Sequence, residues 1–398
     1  MRQQQAMLFE KPAVRGRLVR QPPVENGKAV VTAAPARKKR AAAVKRVRKR
    51  GRKRTASGPR LFLPRKPPAS RAYGGAAYQL GLQLGREDTP PAPPEDESEL
   101  RGLLNRRWTA RVKERGLAGY PWGRYHAAAA GYVRGFFAGM GRPAPDWVPL
   151  PTERSVAVIV TAKNEERTIA AVLKEAGRLT DETYVIVNGS IDGTFRQARA
   201  ASRAIVLSYP QALGHDVGRA IGAKLARADI LLFTDGDMPI PAEQLVPFVH
   251  GIEQGLDVAL NNIHPYLGSF SRQDSVTIMK QFLNMALGRP DLKAGSLTAV
   301  PHALSRRAVE TLGLELLAVP PKAQALALLQ KLRVGHAGRV NVIRGNKRRK
   351  LNSGRRNPVA SMIVGDHLEA LKLATDRLGE RLIYPDMLRK RRYIGGDA

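Results

Sequence analysis

The 398-residue chain contains no cysteine. That excludes a disulfide framework, a thiolate nucleophile and any cysteine-ligated zinc site, and it fits a reducing compartment. No run approaches the ~18 consecutive apolar residues that span a bilayer. The opening MRQQQAMLFEKPAVRGR lacks the apolar stretch of a secretory signal. These absences lead us to expect a cytoplasmic chain with no transmembrane segment.

Acidic residues are also scarce, 34 against 67 Lys and Arg, giving a net charge of +33. The excess is concentrated at one end. Residues 1–70 hold 21 Lys and Arg against only Glu10 and Glu25. Their centre, RKKRAAAVKRVRKRGRKR from Arg37 to Arg54, repels itself and cannot bury enough apolar surface to fold alone. Residues 1–70 are therefore expected to be a disordered basic tail. Its expected partner is a polyanion or an anionic membrane surface, bound through counterion release; a merely solvated tail is the alternative. No zinc-finger spacing, RNA-binding aromatic motif or basic-zipper heptad accompanies it.

Residues 71–150 read as a helical and Pro-rich linker region. DTPPAPPEDESEL, Asp88 to Leu100, has linker composition, and residues 101–141 have helical texture. Two segments echo each other: Tyr78, Gly81 and Gly85 share a Tyr-x-x-Gly-x-x-x-Gly spacing with Tyr132, Gly135 and Gly139. On a helix the paired glycines fall on one face and permit close backbone approach. The two segments are expected to pack on each other or on another subunit, with coincidence as the alternative.

From Ser155 the texture changes. VAVIVTA is a continuous β-branched apolar run, as in a strand buried on both faces. Ile169, Val172, Leu173 and Ala176 then recur at helical spacing. YVIVNGS, TFRQARAAS, AIVLSYP, VGRAIGAKLARA and DILLFTDGD continue the alternation of strand and helix. The pattern predicts an α/β fold with a parallel sheet flanked by helices, where ligands bind at the carboxyl ends of strands. The polar clusters fall at such ends: Thr161 to Glu165, Asn188 to Thr194, and Asp235 to Asp237. Alternation along an extended segment puts Asp235 and Asp237 on one side. Two close carboxylates raise each other's pKa unless a cation sits between them, and hard oxygens favour Mg²⁺ or Mn²⁺. A solvated strand end is the plainer alternative for Asp-x-Asp alone.

The ordered set of motifs resembles family 2 glycosyltransferases of the Rossmann-like GT-A fold. VAVIVTAKNEERTIAAVL is similar to that family's opening strand and turn at Asn164, Glu165 and Glu166, with Lys163 where the family has tyrosine. VIVNGSIDGT resembles its second strand-end loop at Asn188, Gly189, Ser190, Asp192, Gly193 and Thr194. LGHDVGRAIGAKLARADILLFTDGD is similar at Gly214, Arg219, Gly222, Asp235 and Asp237. The resemblance covers residues 155–241. It implies a mixed, mainly parallel sheet over 151–398, with a nucleotide-sugar half at 151–241 and an acceptor half at 242–398. It also implies metal-dependent transfer of a sugar from a nucleoside diphosphate to an unidentified acceptor, with Mn²⁺ or Mg²⁺. Thr161, Ala162, Asn164 and Glu165 would line the base and ribose pocket, with Asn188 and Ser190 near the base. Arg219 would approach the sugar-diphosphate, Asp235 the ribose or sugar, and Asp237 would be the main metal ligand. Val187 replaces the residue, usually acidic, that is tied to reading the base. UDP is the default donor nucleotide, with GDP open.

In the second half, AGSLTAVPHALSRRAVETLG is similar to the family at Gly295, Arg306 and Arg307. The Glu-Asp pair that often supplies the base is missing, since LAVPPKAQALALLQ holds no acid. Candidates for the base are Asp274, Asp291, and Asp366 and Glu369 in MIVGDHLEAL, a segment read as a helix start. His367 is the candidate second metal ligand, against an ordinary helix cap with exposed neighbours. NKRRKLNSGRR, residues 346–356, reads as a loop closing over the diphosphate or as a solvated charge run. A glycosyltransferase-like domain that binds nucleotide-sugar or polyanion without turnover is the alternative function, favoured by Val187 and the missing pair.

Overall fold

The structure, a computed structural model, describes residues 75–345, 357–387 and 389. The basic tail and the NKRRKLNSGRR segment lie outside the described residues.

Three helices precede the sheet: α1 (Ala76–Glu87), α2 (Glu97–Glu114) and α3 (Trp122–Gly139). The chain then alternates β1 (Val156–Ala162), α4 (Ile169–Gly177), β2 (Thr183–Asn188), α5 (Thr194–Ala201), β3 (Ile205–Tyr209), α6 (Val217–Leu225) and β4 (Ile230–Asp235). Beyond it come α7 (Ala242–Glu253), β5 (Val258–Asn261), α8 (Ser275–Ala286), β6 (His302–Ser305), α9 (Arg306–Leu312), α10 (Pro320–Leu329), β7 (Val334–Gly338) and α11 (Pro358–Leu378). The strands form one seven-stranded sheet in the order β3-β2-β1-β4-β6-β5-β7. All pairings are parallel except the two made by β6, which runs antiparallel between β4 and β5. This is the mixed, mainly parallel sheet flanked by helices that the GT-A resemblance implies.

Strand β1 shows why its apolar run is unbroken. Val156, Val158, Val160 and Ala162 enter the core on one face, and Ala157 and Ile159 enter the core on the other. The first face is covered by α4 and α7 and by Leu104, Trp108, Tyr125 and Phe136 of α2 and α3. The second is covered by α6, α9 and α10. The region expected to be a linker is thus part of the main core. Asp88 binds Arg111 at 2.8 Å and accepts from the Tyr132 hydroxyl at 2.7 Å. The Leu150 amide donates to Asn105 Oδ1 at 3.0 Å.

The glycine echo is resolved as an α1–α3 contact. A Cβ built on Gly81 would stand 1.9 Å from the Ala128 carbonyl oxygen, and one on Gly85 would stand 2.1 Å from that of Tyr132. From the other side, Gly135 and, outside the echo, Gly131 would meet Leu82 and Tyr78 oxygens at 2.1 and 2.2 Å, while Gly139 of the echo faces the Thr89 side chain instead. The two helices touch backbone to backbone, which only glycine permits. Among the described residues no helix is long and apolar enough to cross a membrane.

Candidate functional site

The carboxyl ends of β1, β2 and β4 are laced into one edge. The Asn164 amide donates to Ser190 Oγ at 3.0 Å, and the Ile191 amide donates back to Asn164 Oδ1 at 2.9 Å. The Glu165 amide donates to Thr194 Oγ1 at 2.7 Å, and that of Gly193 to Glu166 at 2.9 Å. Thr168 Oγ1 donates to the Gly236 carbonyl at 2.8 Å, while the Gly236 amide donates to the Thr161 carbonyl at 2.8 Å. Asn188 reaches the third loop, donating to Gly214 O and accepting from the Leu213 amide, both at 2.7 Å.

Between these loops lies a cavity of about 230 Å³. Thr161, Ala162, Lys163, Glu165, Asn188, His215, Asp235 and Asp237 line it. Four of the residues expected around the donor, Thr161, Ala162, Glu165 and Asn188, therefore line one surface with Asp235 and Asp237, but their roles divide. Asn164 and Ser190 do not line the cavity; they spend their polar groups holding two loops together. Glu165 is buried, and its carboxylate accepts from Thr168 at 3.2 Å. Val187 is buried in the core opposite Ala162, so it cannot meet a base.

Strand β4 ends at Asp235, and Asp237 sits on the turn that follows rather than on an extended continuation. Asp235 Oδ1 accepts from Thr161 Oγ1 at 2.8 Å and lies 3.8 Å from Arg219 Nη2. Arg219 is buried, donates to the Leu297 carbonyl at 3.0 Å, and pairs with Asp216 at 3.1 Å. It thereby joins the two halves. Sequence reasoning missed His215 and Asp216. Their signal was only adjacency to Gly214.

A hard divalent ion usually takes one or two protein carboxylates and completes its shell with phosphate oxygens and water. Asp237 fits that demand, since it lines the cavity beside Asp235, whose own oxygen is already engaged by Thr161. Among the described residues no group of three or more His, Asp or Glu could hold a metal by itself. The donor set fits an ion that arrives with a diphosphate. It does not fit a site closed by His367, which therefore does not complete a cluster with Asp235 and Asp237. His367 Nδ1 bonds the Ile363 carbonyl at 2.7 Å, and its Nε2 is buried without a hydrogen-bond partner. Burial pushes its pKa down to about 4, and the neighbouring Lys280 ammonium pushes the same way.

Residues 366–369 lie mid-helix in α11, not at a helix start; Asn357 is the cap, accepting from the Ala360 amide. On that helix the two base candidates separate. Glu369 is exposed and paired with Lys322 at 3.3 Å. Asp366 is half-buried, and its carboxyl is raised above the usual range by burial, by Asp216 and by Glu369. Its electrostatic neighbours place it toward the His215–Asp216 loop at the cavity. Asp274 is engaged as the cap of α8, accepting from Thr277 N at 2.7 Å, and Asp291 is tied to Arg289 at 2.7 Å. Nearby, Asn284 and Gln324 clamp the 293–297 segment: Asn284 donates to Lys293 O and Gly295 O, and Gln324 accepts from the Leu297 amide.

Residues 157–312 match the family described as Glycosyl transferase family 2. A dolichyl-phosphate hexose transferase of Haloferax volcanii is 34% identical over 105 residues, 26% of this chain and 45% of that protein. A glucosyl-3-phosphoglycerate synthase of Mycolicibacterium paratuberculosis is 34% identical over 123 residues, 27% of this chain and 37% of that protein. The chain thus spans less than half the length of these curated relatives. The Mycobacterium tuberculosis glucosyl-3-phosphoglycerate synthase structure with Mn²⁺, UDP and phosphoglyceric acid is 22% identical with a TM-score of 0.42, covering 59% of this chain and 80% of that one.

Proposed function

We propose, from the match of residues 157–312 to glycosyl transferase family 2, that the chain transfers a sugar from a nucleoside-diphosphate donor to an acceptor hydroxyl. The observation that carries this reading is the single cavity in which Asp235, Asp237, Thr161, Lys163 and His215 meet at the strand ends. Thr161, Ala162 and Asn188 form the side that receives the nucleoside, with Asn164, Glu165 and Ser190 holding its loops. Arg219 and Asp235 stand toward the sugar-diphosphate. Asp237 would hold Mn²⁺ or Mg²⁺, which when bound offsets the charge developing on the leaving diphosphate. Lys163 and His215 add positive charge at the same surface. Asp366, on the acceptor half, is the residue we assign to take the acceptor's proton, because it is half-buried beside the His215–Asp216 loop with a carboxyl raised above its ordinary range, whereas Glu369 is exposed and paired with Lys322. UDP is the first nucleotide to try. The relatives' names, a hexose transferase and a glucosyl synthase, make hexoses the first sugars to try.

The test is Mn²⁺-dependent release of nucleoside diphosphate from a panel of nucleotide-sugars, with wild type and Asp237→Ala side by side. Turnover of one donor, lost in the variant, supports the reading. No cleavage of any donor, or equal cleavage by the variant, would end it.

A second reading, a domain that binds nucleotide-sugar without turning it over, draws on Val187 and on LAVPPKAQALALLQ, which holds no Glu-Asp pair. Donor binding with no hydrolysis on the same panel selects it. The basic residues 1–70 add a polyanion or anionic membrane surface as a partner in either reading, on charge alone. Loss of polyanion binding between ~50 and ~200 mM salt tests that assignment.

A further inference from the structure

His215 lines the donor cavity with its side chain 47% exposed, so packing does not explain an imidazole there. Asp216, the next residue, has a side chain only 4% exposed and a left-handed backbone at φ 60°. That conformation is uncommon for a residue with a Cβ, and such strain collects at functional sites. Here it accompanies a carboxylate shared by an imidazole and a guanidinium. One oxygen meets His215 Nδ1 at 3.0 Å and the other meets Arg219 Nη1 at 3.1 Å. Arg219 continues to Asp235 at 3.8 Å. A line of alternating charge therefore runs from the cavity rim to the end of β4. With Nδ1 committed to Asp216, Nε2 is the nitrogen left for the cavity. The charged groups that face His215 are Asp216, Arg219, Asp235 and Asp366.

We propose that His215, as an imidazolium, grips the diphosphate of the nucleotide-sugar, and that Asp216 is the positioning residue that keeps it protonated and aimed. This rests on the donor-site reading above. A protonated Nε2–H donates a charge-assisted bond to a phosphate oxygen, whereas the neutral ring offers a lone pair that an anion avoids. The surroundings favour the charged form. The bond to Asp216 raises the His215 pKa, against the opposing effects of burial and Arg219. Burial alone would raise Asp216, but Arg219 and His215 together hold its carboxyl below the ordinary range. A histidine with a raised folded pKa keeps its charge below that value and loses it as pH climbs through it. Donor affinity should follow the same course.

The experiment is calorimetric titration of UDP at fixed Mn²⁺ from pH 6 to 8.5, on the full chain and on His215→Lys, His215→Asn and Asp216→Asn. Wild-type affinity is expected to fall about tenfold across the window, the scale of one hydrogen bond to a charged group. His215→Lys should keep the low-pH affinity at pH 8.5, His215→Asn should bind weakly throughout, and Asp216→Asn should move the fall to lower pH. UDP bound by His215→Asn with the wild-type profile would overturn the proposal while leaving the donor reading intact. So would a fall in His215→Lys equal to that of wild type, which would place the titrating group elsewhere in the site. UDP bound by no form at any pH would remove the donor reading and this proposal together.

Discussion

Lys280 offers a test in which sign and size both follow from burial. It lies on the inward face of α8, only 9% exposed, one turn before Asn284. Burial lowers its pKa from 10.5 to about 8, and the attraction of Asp274 and Asp216 only partly offsets that. Arg219 stands among its neighbours and favours neutrality further. At pH 7 the folded and unfolded chains both carry the proton, so the folded state bears the cost of a buried ammonium. A drop of that size amounts to about 3 kcal/mol. Between pH 8 and 10.5 the folded chain sheds its proton before the unfolded chain does, so stability rises with pH across that window. Above 10.5 the cost is gone. Lys280→Met keeps the length and removes the charge, so it should be about 2–3 kcal/mol more stable than wild type at pH 7. Urea unfolding of both proteins at pH 7, 8, 9 and 10 measures the gap, and the difference cancels every other titrating group. The gap should shrink steadily from pH 8 upward. A gap independent of pH, or a variant less stable than wild type at pH 7, would show that the ammonium is well compensated and that the burial argument fails.

Gly81→Ala should cost about 1–3 kcal/mol or more, because its methyl would enter the Ala128 carbonyl; a thermal melt matching wild type would sink the backbone-to-backbone account of α1 and α3. Tyr132→Phe should lose about 1 kcal/mol through the hydrogen bond to Asp88, read by urea unfolding. On the proposed reaction, Asp366→Asn should lower kcat by about 10²-fold or more, while Glu369→Gln should leave it near wild type; the reverse ranking would move the base elsewhere. Since the raised Asp366 carboxyl must be ionised to accept a proton, acid inactivation should set in above the pH at which an ordinary aspartate would cause it. A pH–rate profile, with Asp366→Glu as comparison, reads that limb.

Much of the fold of residues 155–241 was legible along the chain, because its information is local. The run VAVIVTA predicts a strand buried on both faces, and Val158 and Ile159 do enter opposite cores. The alternation after it predicts a parallel sheet, and the strand-end clusters fall where such sheets bind ligands. These patterns need only the side-chain period of strand and helix over about ten residues. The glycine echo shows the same logic and its limit. Its spacing identifies a helix face, but whether that face meets α3 or another chain depends on where two helices come to rest.

Questions of partnership were settled only in three dimensions. Asp366 and Glu369 are equivalent in a list of acids, yet docking of α11 turns the first toward Asp216 and leaves the second on Lys322. His367 looked like a metal ligand beside those acids, but the charge that acts on its ring is the Lys280 ammonium from α8. Asn164 and Ser190 looked like ligand contacts and instead tie two loops together. His215 and Asp216 were marked only by their place after Gly214; a left-handed turn and a buried arginine make them a pair. Strand and helix follow from neighbours in sequence. Charge, protonation and reach follow from neighbours in space, which long-range packing alone supplies.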